Sequence, residues 1–385
     1  MKIVHIIDYY QPKLGYQEAF LARNHANLGH EVHVITSDRY ASGLYPMAQA
    51  VLGPRLVGTG SFTEDGVCVH RLPINFELQG RVWLRGVSSC LHKINPDLVI
   101  IHGVLSAASI QASLAKRSGA VFKLIIDDHM VPTASRPIAA LVYILFSKSI
   151  GPLIRKYADS FVSTHKDSTD FMISKYGLKK DMITFIPLGC DTNLFRRNSR
   201  VRSQVRQSLN LHKDDVLFIY AGKLTPEKGP HLLAKAGFNL AKRFDNVKIL
   251  LLGNGTPNYV SMIRKLGVSS GNNDVLLFRD LVPNHELPKF YSAADVGVWP
   301  LQCSLTMIEA MACHLPIIIA DNSGTPDRVN HENGFMYKNG DIYDLQQQMQ
   351  KLMNSNLRSE MGRNARLYAE RLDWSRIAQS FLEIR

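Results

Sequence analysis

Apolar residues in this chain come in short runs separated by polar stretches with helical spacing. The runs fall near residues 2–7, 31–36, 67–72, 97–102, 121–127, 159–163 and 183–187. They are too short for helices and rich in Val, Ile and Leu, which predicts buried strands. Between them lie helical patterns such as Gln17–Leu28, with Gly29 placed as the residue after the helix end. The pattern restarts at Val216–Tyr220 and continues at Val247–Leu252, Val275–Phe278, Val296–Trp299 and Ile317–Ala320. Strands alternating with helices predict parallel sheets. The interruption falls at Pro187–Arg202, a polar, arginine-rich stretch, and the tail from Asp341 is helical by pattern. The expected architecture is α/β, with two doubly wound, Rossmann-like domains facing a cleft and joined by a short linker.

The segment 295–321, D-V-G-V-W-P-L-Q-C-S-L-T-M-I-E-A-M-A-C-H-L-P-I-I-I-A-D, is the most informative. Asp295–Pro300 reads as a strand, Ser304 and Thr306 open a helix with Glu309 in its first turns, and Pro316–Asp321 is a second strand. In open α/β sheets, ligands bind at the carboxyl ends of strands. Amides at a helix start favour an anion such as a diphosphate. A carboxylate one turn in accepts hydrogen bonds from sugar hydroxyls. A nucleotide offers both groups.

At 385 residues the chain fits two domains rather than one. Its 45% hydrophobic and 20% charged residues mark it as globular. The five cysteines (68, 90, 190, 303, 313) are scattered and form no C-x-x-C, which argues for a reduced, intracellular protein without a disulfide framework or zinc site. Asp8 interrupts the first apolar run too early for a signal peptide, so Met1–Tyr10 reads as a first buried strand. Ile138–Phe146 is too short to span a bilayer. The net charge of +12 calls for an anionic partner or a solvated basic surface. No nucleic-acid motif or zinc finger is present, and no nucleic-acid partner is expected.

Several motifs now converge. They are the glycine loop P-K-L-G-Y-Q-E (12–18), A-G-K-L-T-P-E-K-G (221–229), L-L-G-N-G (251–255), E-A-M-A-C-H-L-P-I-I and N-G-F (333–335), closed by M-G-R-N-A-R…W. In order and spacing the chain resembles, end to end, the glycosyltransferases of family 4, which have the two-domain GT-B fold and retain the donor's anomeric configuration. The resemblance implies an acceptor-binding domain at 1–190, a nucleotide-sugar-binding domain at 191–371, and a C-terminal helix, 372–385, that packs back on the first.

It also implies roles. Lys223 and Lys228 would stabilise the departing nucleotide diphosphate by charge-assisted hydrogen bonds. Family members usually carry Arg where Lys223 stands, so a point charge replaces a bidentate fork. Gly15, Gly222, Gly253, Leu281, Ser304, Leu305 and Thr306 would complete the donor site, with Glu309 on the ribose hydroxyls. Glu309 matches the second glutamate of the family's E-x7-E motif. The first has no counterpart, since Leu301 stands at that spacing, and Gln302, Ser304 and Thr306 are the polar groups left to replace it.

His129, in I-I-D-D-H-M, matches a family histidine near the reacting sugar. His102 and Asp128 end neighbouring strands and are expected to face the same crevice, with Tyr16 and Gln17 on the acceptor side. His129 is not assigned as a general base, because a donor phosphate oxygen can take the acceptor proton. No D-x-D occurs, so no metal or other cofactor is expected and the lysines and helix dipole take that role. Asn254-Gly255-Thr256 is formally a glycosylation sequon and, in this glycine loop, accidental.

The implied activity is transfer of a sugar from a UDP- or GDP-sugar to a glycan or lipid-linked glycan acceptor, in cell-envelope polysaccharide or glycoconjugate synthesis. The alternatives are a sugar-nucleotide epimerase of the same fold and a non-catalytic nucleotide-sugar-binding subunit. Residues 81–93 and 136–156 mix bulky apolar side chains with Arg and Lys and carry no acid. They suggest peripheral contact of a cytoplasmic protein with an anionic membrane face.

Overall fold

A computed structural model describes residues 1–43, 45–130, 137–269, 274–302, 304–322 and 328–384. Arg136 of the basic apolar segment, the side chains of 137–140, and Cys303 lie outside the described residues. The chain divides into two compact units: Met1–Leu188 with Trp374–Arg385, and Gly189–Asp373.

The first unit contains β1 (Lys2–Ile6), β2 (Glu31–Ser37), β3 (Gly60–Glu64), β4 (Val67–Leu72), β5 (Ile74–Leu78), β6 (Arg81–Leu84), β7 (Leu98–His102), β8 (Lys123–Asp128), β9 (Ser160–Ser163) and β10 (Ile183–Phe185). Eight of them form one sheet in the order β10-β9-β8-β7-β1-β2-β4-β3. All its pairs are parallel except β3–β4. The central strands are covered on both faces, so Ile3, Val4, Val99, Ile100, Leu124 and Ile125 are fully buried. That is why they read as unbroken apolar runs. β5 and β6 form a separate antiparallel hairpin. The last helix, Trp374–Leu382, buries Trp374, Ile377, Ala378 and Phe381, an i, i+3, i+4, i+7 stripe. Its Trp374 ring stacks on Phe20 with centroids 5.5 Å apart.

The second unit contains β11 (Val216–Ala221), β12 (Val247–Leu252), β13 (Leu276–Arg279), β14 (Val296–Trp299), β15 (Ile317–Asp321) and β16 (Gly334–Lys338), parallel throughout, in the order β13-β12-β11-β14-β15-β16. Part of the arginine-rich stretch expected as linker is the start of a helix, Ser199–Ser208, capped by Asn198 Oδ1 on the amide of Val201 (3.0 Å). Arg202 and Arg206 both reach Asp295, at 2.8 and 3.2 Å, and Asp295 also accepts from the amide of Leu217 at 2.8 Å. Part of the basic excess therefore clamps a helix to the amino ends of the two central strands rather than facing solvent.

In both sheets the chain starts in the middle and winds outward in two directions. The reversal falls between β1 and β7 in one unit and between β11 and β14 in the other. Diverging connections leave a crevice at the carboxyl ends of these strand pairs.

Candidate functional site

In the second unit, the loops leaving β11, β12 and β14 pack against one another at the switch point. Gly222 and Gly253 follow β11 and β12 with φ of 153° and 141°. A Cβ on Gly253 would stand 1.9 Å from the carbonyl oxygen of Gly222, so only glycine lets the two loops touch. The contact continues as a bridge between Leu224 and Gly255, with the Leu224 amide donating to Asn254 O at 2.9 Å. Asn254 Oδ1 in turn takes the amide of Leu281 at 3.1 Å.

The helix after β14, Leu305–Ala312, starts against the end of β11. Thr306 Oγ1 donates to Ala221 O at 2.9 Å, lies 2.9 Å from Ser304 Oγ and receives Trp299 Nε1–H at 3.0 Å. Thr306 thus holds the helix start in place. Ser304 is the N-cap residue, but its side chain makes no capping bond to the helix amides. Buried Arg328, which the sequence reading did not single out, donates to Ser304 O at 3.0 Å.

Lys223 directly follows Gly222. Its side chain is exposed, and the neighbouring protein desolvates it enough to lower its pKa. Lys228 closes the 3-10 turn Pro226–Lys228, and Gly229 behind it has φ 72°. Leu301 packs over Gly229, where an added Cβ would lie 2.7 Å from Leu301 Cγ. An apolar side chain, in place of a carboxylate, therefore lies beside the residue next to Lys228.

Glu309 is buried within its helix. Its Oε1 accepts from Asn284 Nδ2 at 2.8 Å, while Oε2 finds no hydrogen-bond partner among the described residues. Burial pushes its carboxyl up to about 8, partly offset by the Asn284 bond. Asn284 was not anticipated from sequence, because its role depends on a contact 25 residues away.

In the first unit, Gly15 ends a 3-10 turn with φ 70°. Tyr16 caps the next helix and Gln17 opens it. Gln17 Nε2 donates to Asp127 Oδ2 at 2.9 Å, and His102 Nδ1 reaches the same oxygen at 2.8 Å. His102 Nε2 lies 3.1 Å from His5 Nδ1, His5 Nε2 lies 3.1 Å from His25 Nδ1, and His25 Nε2 donates to Ala378 O at 3.0 Å. A string of three histidines thus runs through the core to Asp127. The expected open position of His102 is corrected: its side chain is 4% exposed and closed off on both nitrogens.

Asp128 has a different role. Its Oδ1 accepts from the Met130 amide at 2.7 Å and its Oδ2 from the Val104 amide at 3.0 Å, tying two strand-end loops together. His129 is the solvent-facing group, 41% exposed, with Nε2 3.9 Å from Asp127 Oδ1 and Nδ1 3.2 Å from Thr164 Oγ1. Asp127, rather than Asp128, joins His129, His102 and Gln17. The signal was present as the adjacent pair in I-I-D-D-H, but strand parity decides which carboxylate turns toward the histidines.

The fold is that of the two-domain GT-B glycosyltransferases. The Anabaena protein HepE, solved in complex with UDP and also with UDP-glucose, superposes on the whole of this chain; in its UDP complex the TM-score is 0.76 at 19% identity, covering 100% of this chain and 99% of that one. "Glycosyl transferase 4-like domain" matches residues 19–189 and "Glycosyl transferases group 1" matches residues 201–368. The chain belongs to the group 1 glycosyl transferases. It is 27% identical over 239 residues to a D-inositol 3-phosphate glycosyltransferase of Saccharomonospora viridis (59% of this chain, 55% of that one). It is 26% identical over 172 residues to a GDP-mannose-dependent phosphatidylinositol monomannoside mannosyltransferase of Mycobacterium tuberculosis (42% and 44%). The chain spans about half the length of the curated relatives it matches.

Proposed function

We propose that this protein transfers a sugar, with retention and without a metal, from a UDP- or GDP-sugar to a glycan or lipid-linked glycan acceptor of the cell envelope. The observation that carries the reading is Glu309, a buried carboxyl with an unpartnered oxygen, one turn inside a helix that starts at the topological switch point. Such a group costs stability unless a ligand supplies donors, and ribose hydroxyls are donors. Lys223 and Lys228 supply charge for the diphosphate, with the amides of Leu305 and Thr306 at the uncapped helix start. In the departure step the C–O bond between sugar and diphosphate breaks and the electron pair stays on the phosphate oxygen beside the lysines. The acceptor oxygen bonds to the same face of the sugar and its proton passes to that phosphate oxygen.

Support for the nucleotide comes from two sides: HepE holds UDP, and the mycobacterial relative is named for GDP-mannose. The relatives' inositol-containing acceptors support an acceptor rich in hydroxyls, and one of them is a lipid.

The test is a thermal-shift series with UDP, GDP and their sugar conjugates, on the wild type and on Lys228→Ala and Glu309→Ala. One nucleotide should raise Tm, and each variant should lose about 3 kcal/mol of affinity or transition-state stabilisation, roughly a hundredfold. If no nucleotide shifts the wild type at millimolar concentration, the reading fails. Leu301 favours one second reading, a binding subunit without turnover. Slow hydrolysis of the cognate donor without acceptor would exclude it.

A further inference from the structure

We propose that His33 Nδ1, Cys68 Sγ and His70 Nε2 form a binding site for a zinc-class divalent ion, separate from the switch-point residues of either unit. The three ligand atoms lie within 4.8 Å of one another. They come from adjacent parallel strands in register: His33 on β2 pairs with Cys68 on β4, and His70 follows on the same face of β4. Such a set is invisible to spacing rules, which look for cysteines close in sequence.

Bond lengths of about 2.0–2.1 Å for Zn–N and about 2.3 Å for Zn–S put tetrahedral ligand atoms roughly 3.3–3.6 Å apart. The two facing ring nitrogens are 2.9 Å apart. They need to open by about half an ångström, and the sulfur to close by about 1 Å, which side-chain torsions supply.

The outer nitrogens decide the matter. His33 Nε2 lies 3.1 Å from Glu31 Oε1, and His70 Nδ1 lies 2.8 Å from Ser61 Oγ. Histidines that hold metals present one nitrogen to the ion and donate the other N–H to a carboxylate or another oxygen. Both rings here already have that acceptor. A soft thiolate with two imidazoles suits zinc over magnesium or calcium. All three residues are half-buried, so the ion can enter from solvent and a water can fill the fourth position.

Without the ion, the pair is satisfied by a relay in which Ser61 donates to His70, His70 to His33, and His33 to Glu31. On binding, the His70 proton moves to Nδ1 and turns toward Ser61, and the Cys68 thiol releases its proton to solvent. One proton therefore leaves per ion bound. The site would also pin β3, the exposed edge strand that carries Ser61.

The experiment uses the full chain stripped by chelator and titrated with Co²⁺ as the spectroscopic probe, then with Zn²⁺. One equivalent of Co²⁺ should give tetrahedral visible bands and a thiolate-to-cobalt band. Calorimetry in buffers of different ionisation enthalpy should report release of about one proton per zinc. Cys68→Ser should abolish the thiolate band and weaken binding at least tenfold, and His70→Gln should weaken it similarly. In the wild type, Zn²⁺ should slow alkylation of Cys68, read on its own peptide, while Cys90 is unaffected. Absence of any band with excess Co²⁺, or a thiolate band that survives in Cys68→Ser, overturns the proposal. So does unprotected Cys68, a readout that needs no variant to fold.

Discussion

His102 donates its Nδ1–H to Asp127 Oδ2 over 2.8 Å, and that one contact fixes the proton inventory of two further histidines behind it. At the far end, Ala378 O can only accept, so His25 Nε2 carries a proton. Four contacts in the string each need one proton, and three neutral rings supply three. One ring is therefore an imidazolium. Burial opposes charge on His102, but the charge and hydrogen bond of Asp127, aided by Glu18, outweigh it and raise the pKa. His5 is driven well below the ordinary value by burial and by the other two rings, and His25 falls to about 4, chiefly by burial. The proton rests on His102.

This inventory predicts a stability maximum bounded on both sides. For His25, lowered in the folded state, the unfolded chain binds the extra proton between about pH 6.5 and 4, so stability falls as pH falls through that window. The loss approaches about 3 kcal/mol at the acid end. For His102, raised in the folded state, the contribution is complete below about 6.5 and is lost as pH rises through its folded pKa. Urea denaturation across pH should show both limbs. His25→Gln should flatten the acid limb and His102→Gln the alkaline one. An unchanged acid limb in His25→Gln would contradict the assignment.

Glu309 gives a limb of opposite origin. A carboxyl raised to about 8 holds its proton in the folded state where the unfolded chain has lost it, so its contribution is complete below about 4.5 and declines up to about pH 8. Glu309→Gln removes that titration and should make the free protein at least as stable at pH 8. It should also weaken nucleotide binding above about pH 8, where the ionised carboxylate offers two acceptor oxygens and the amide one. A variant that loses stability at pH 8 and keeps full affinity would place Glu309 in the framework alone.

The central strands, and with them the loops that carry the candidate site, were legible because parallel strands buried on both faces leave unbroken apolar runs, and β11, β12 and β14 show them plainly. β3 was not legible: G-S-F-T-E lies on an exposed edge and has no apolar run to mark it. The hairpin β5–β6 was not anticipated either: β6 falls inside the basic apolar segment 81–93, which was read for its charge and not for its strand. Val82 and Leu84 point inward from a strand, and Val87, Leu91 and Ile94 point inward from the helix that follows. The residues with unexpected roles are His5, His25, Asn284 and Arg328. Each acts through a partner distant in sequence or through burial, which local spacing does not encode.

The two loop glycines differ in what surrounds them, and this ranks their alanine variants. At Gly253 the new Cβ meets the backbone oxygen of Gly222 at 1.9 Å, and backbone cannot step aside. At Gly222 it meets the Tyr220 hydroxyl at 2.9 Å, the end of a side chain. Both carry positive φ. Gly253→Ala should cost about 3 kcal/mol or more and Gly222→Ala about half that. Equal losses by chemical denaturation would mean the loops are not locked together.

Chelation separates the two ion questions. Sugar transfer should survive excess EDTA if, as proposed, Lys223, Lys228 and a helix start meet the diphosphate charge in place of a metal held by a carboxylate pair. The same EDTA should strip the His33–Cys68–His70 site and lower Tm of zinc-loaded protein. Activity lost with chelator and restored by Mg²⁺ or Mn²⁺ would end the metal-free mechanism.

The basic apolar segment is resolved into two helices, Pro137–Ser149 and Gly151–Tyr157. No helix among the described residues is long and apolar enough to cross a membrane. The first helix buries Tyr143 and Phe146 and leaves Leu141, Val142, Ile144 and Leu145 between 45% and 59% exposed. Lys148 and Lys156 are exposed beside them. Four adjacent apolar side chains in water are costly unless something covers them. With lysines nearby and no acid, an anionic lipid surface fits. Arg155 and Arg81 are poor reporters of this contact. Arg155 donates to Tyr176 O and Ser147 O, and Arg81 to Leu105 O. The informative variant is Ile144→Glu with Leu145→Glu, and a second is Lys148→Glu with Lys156→Glu. Wild type should co-sediment with vesicles containing anionic lipid at low salt and not with neutral ones. The apolar variant should lose binding at any salt, and the lysine variant should lose it in proportion to ionic strength. Wild-type protein left in the supernatant with anionic vesicles at low salt would reassign the exposed face to a soluble partner.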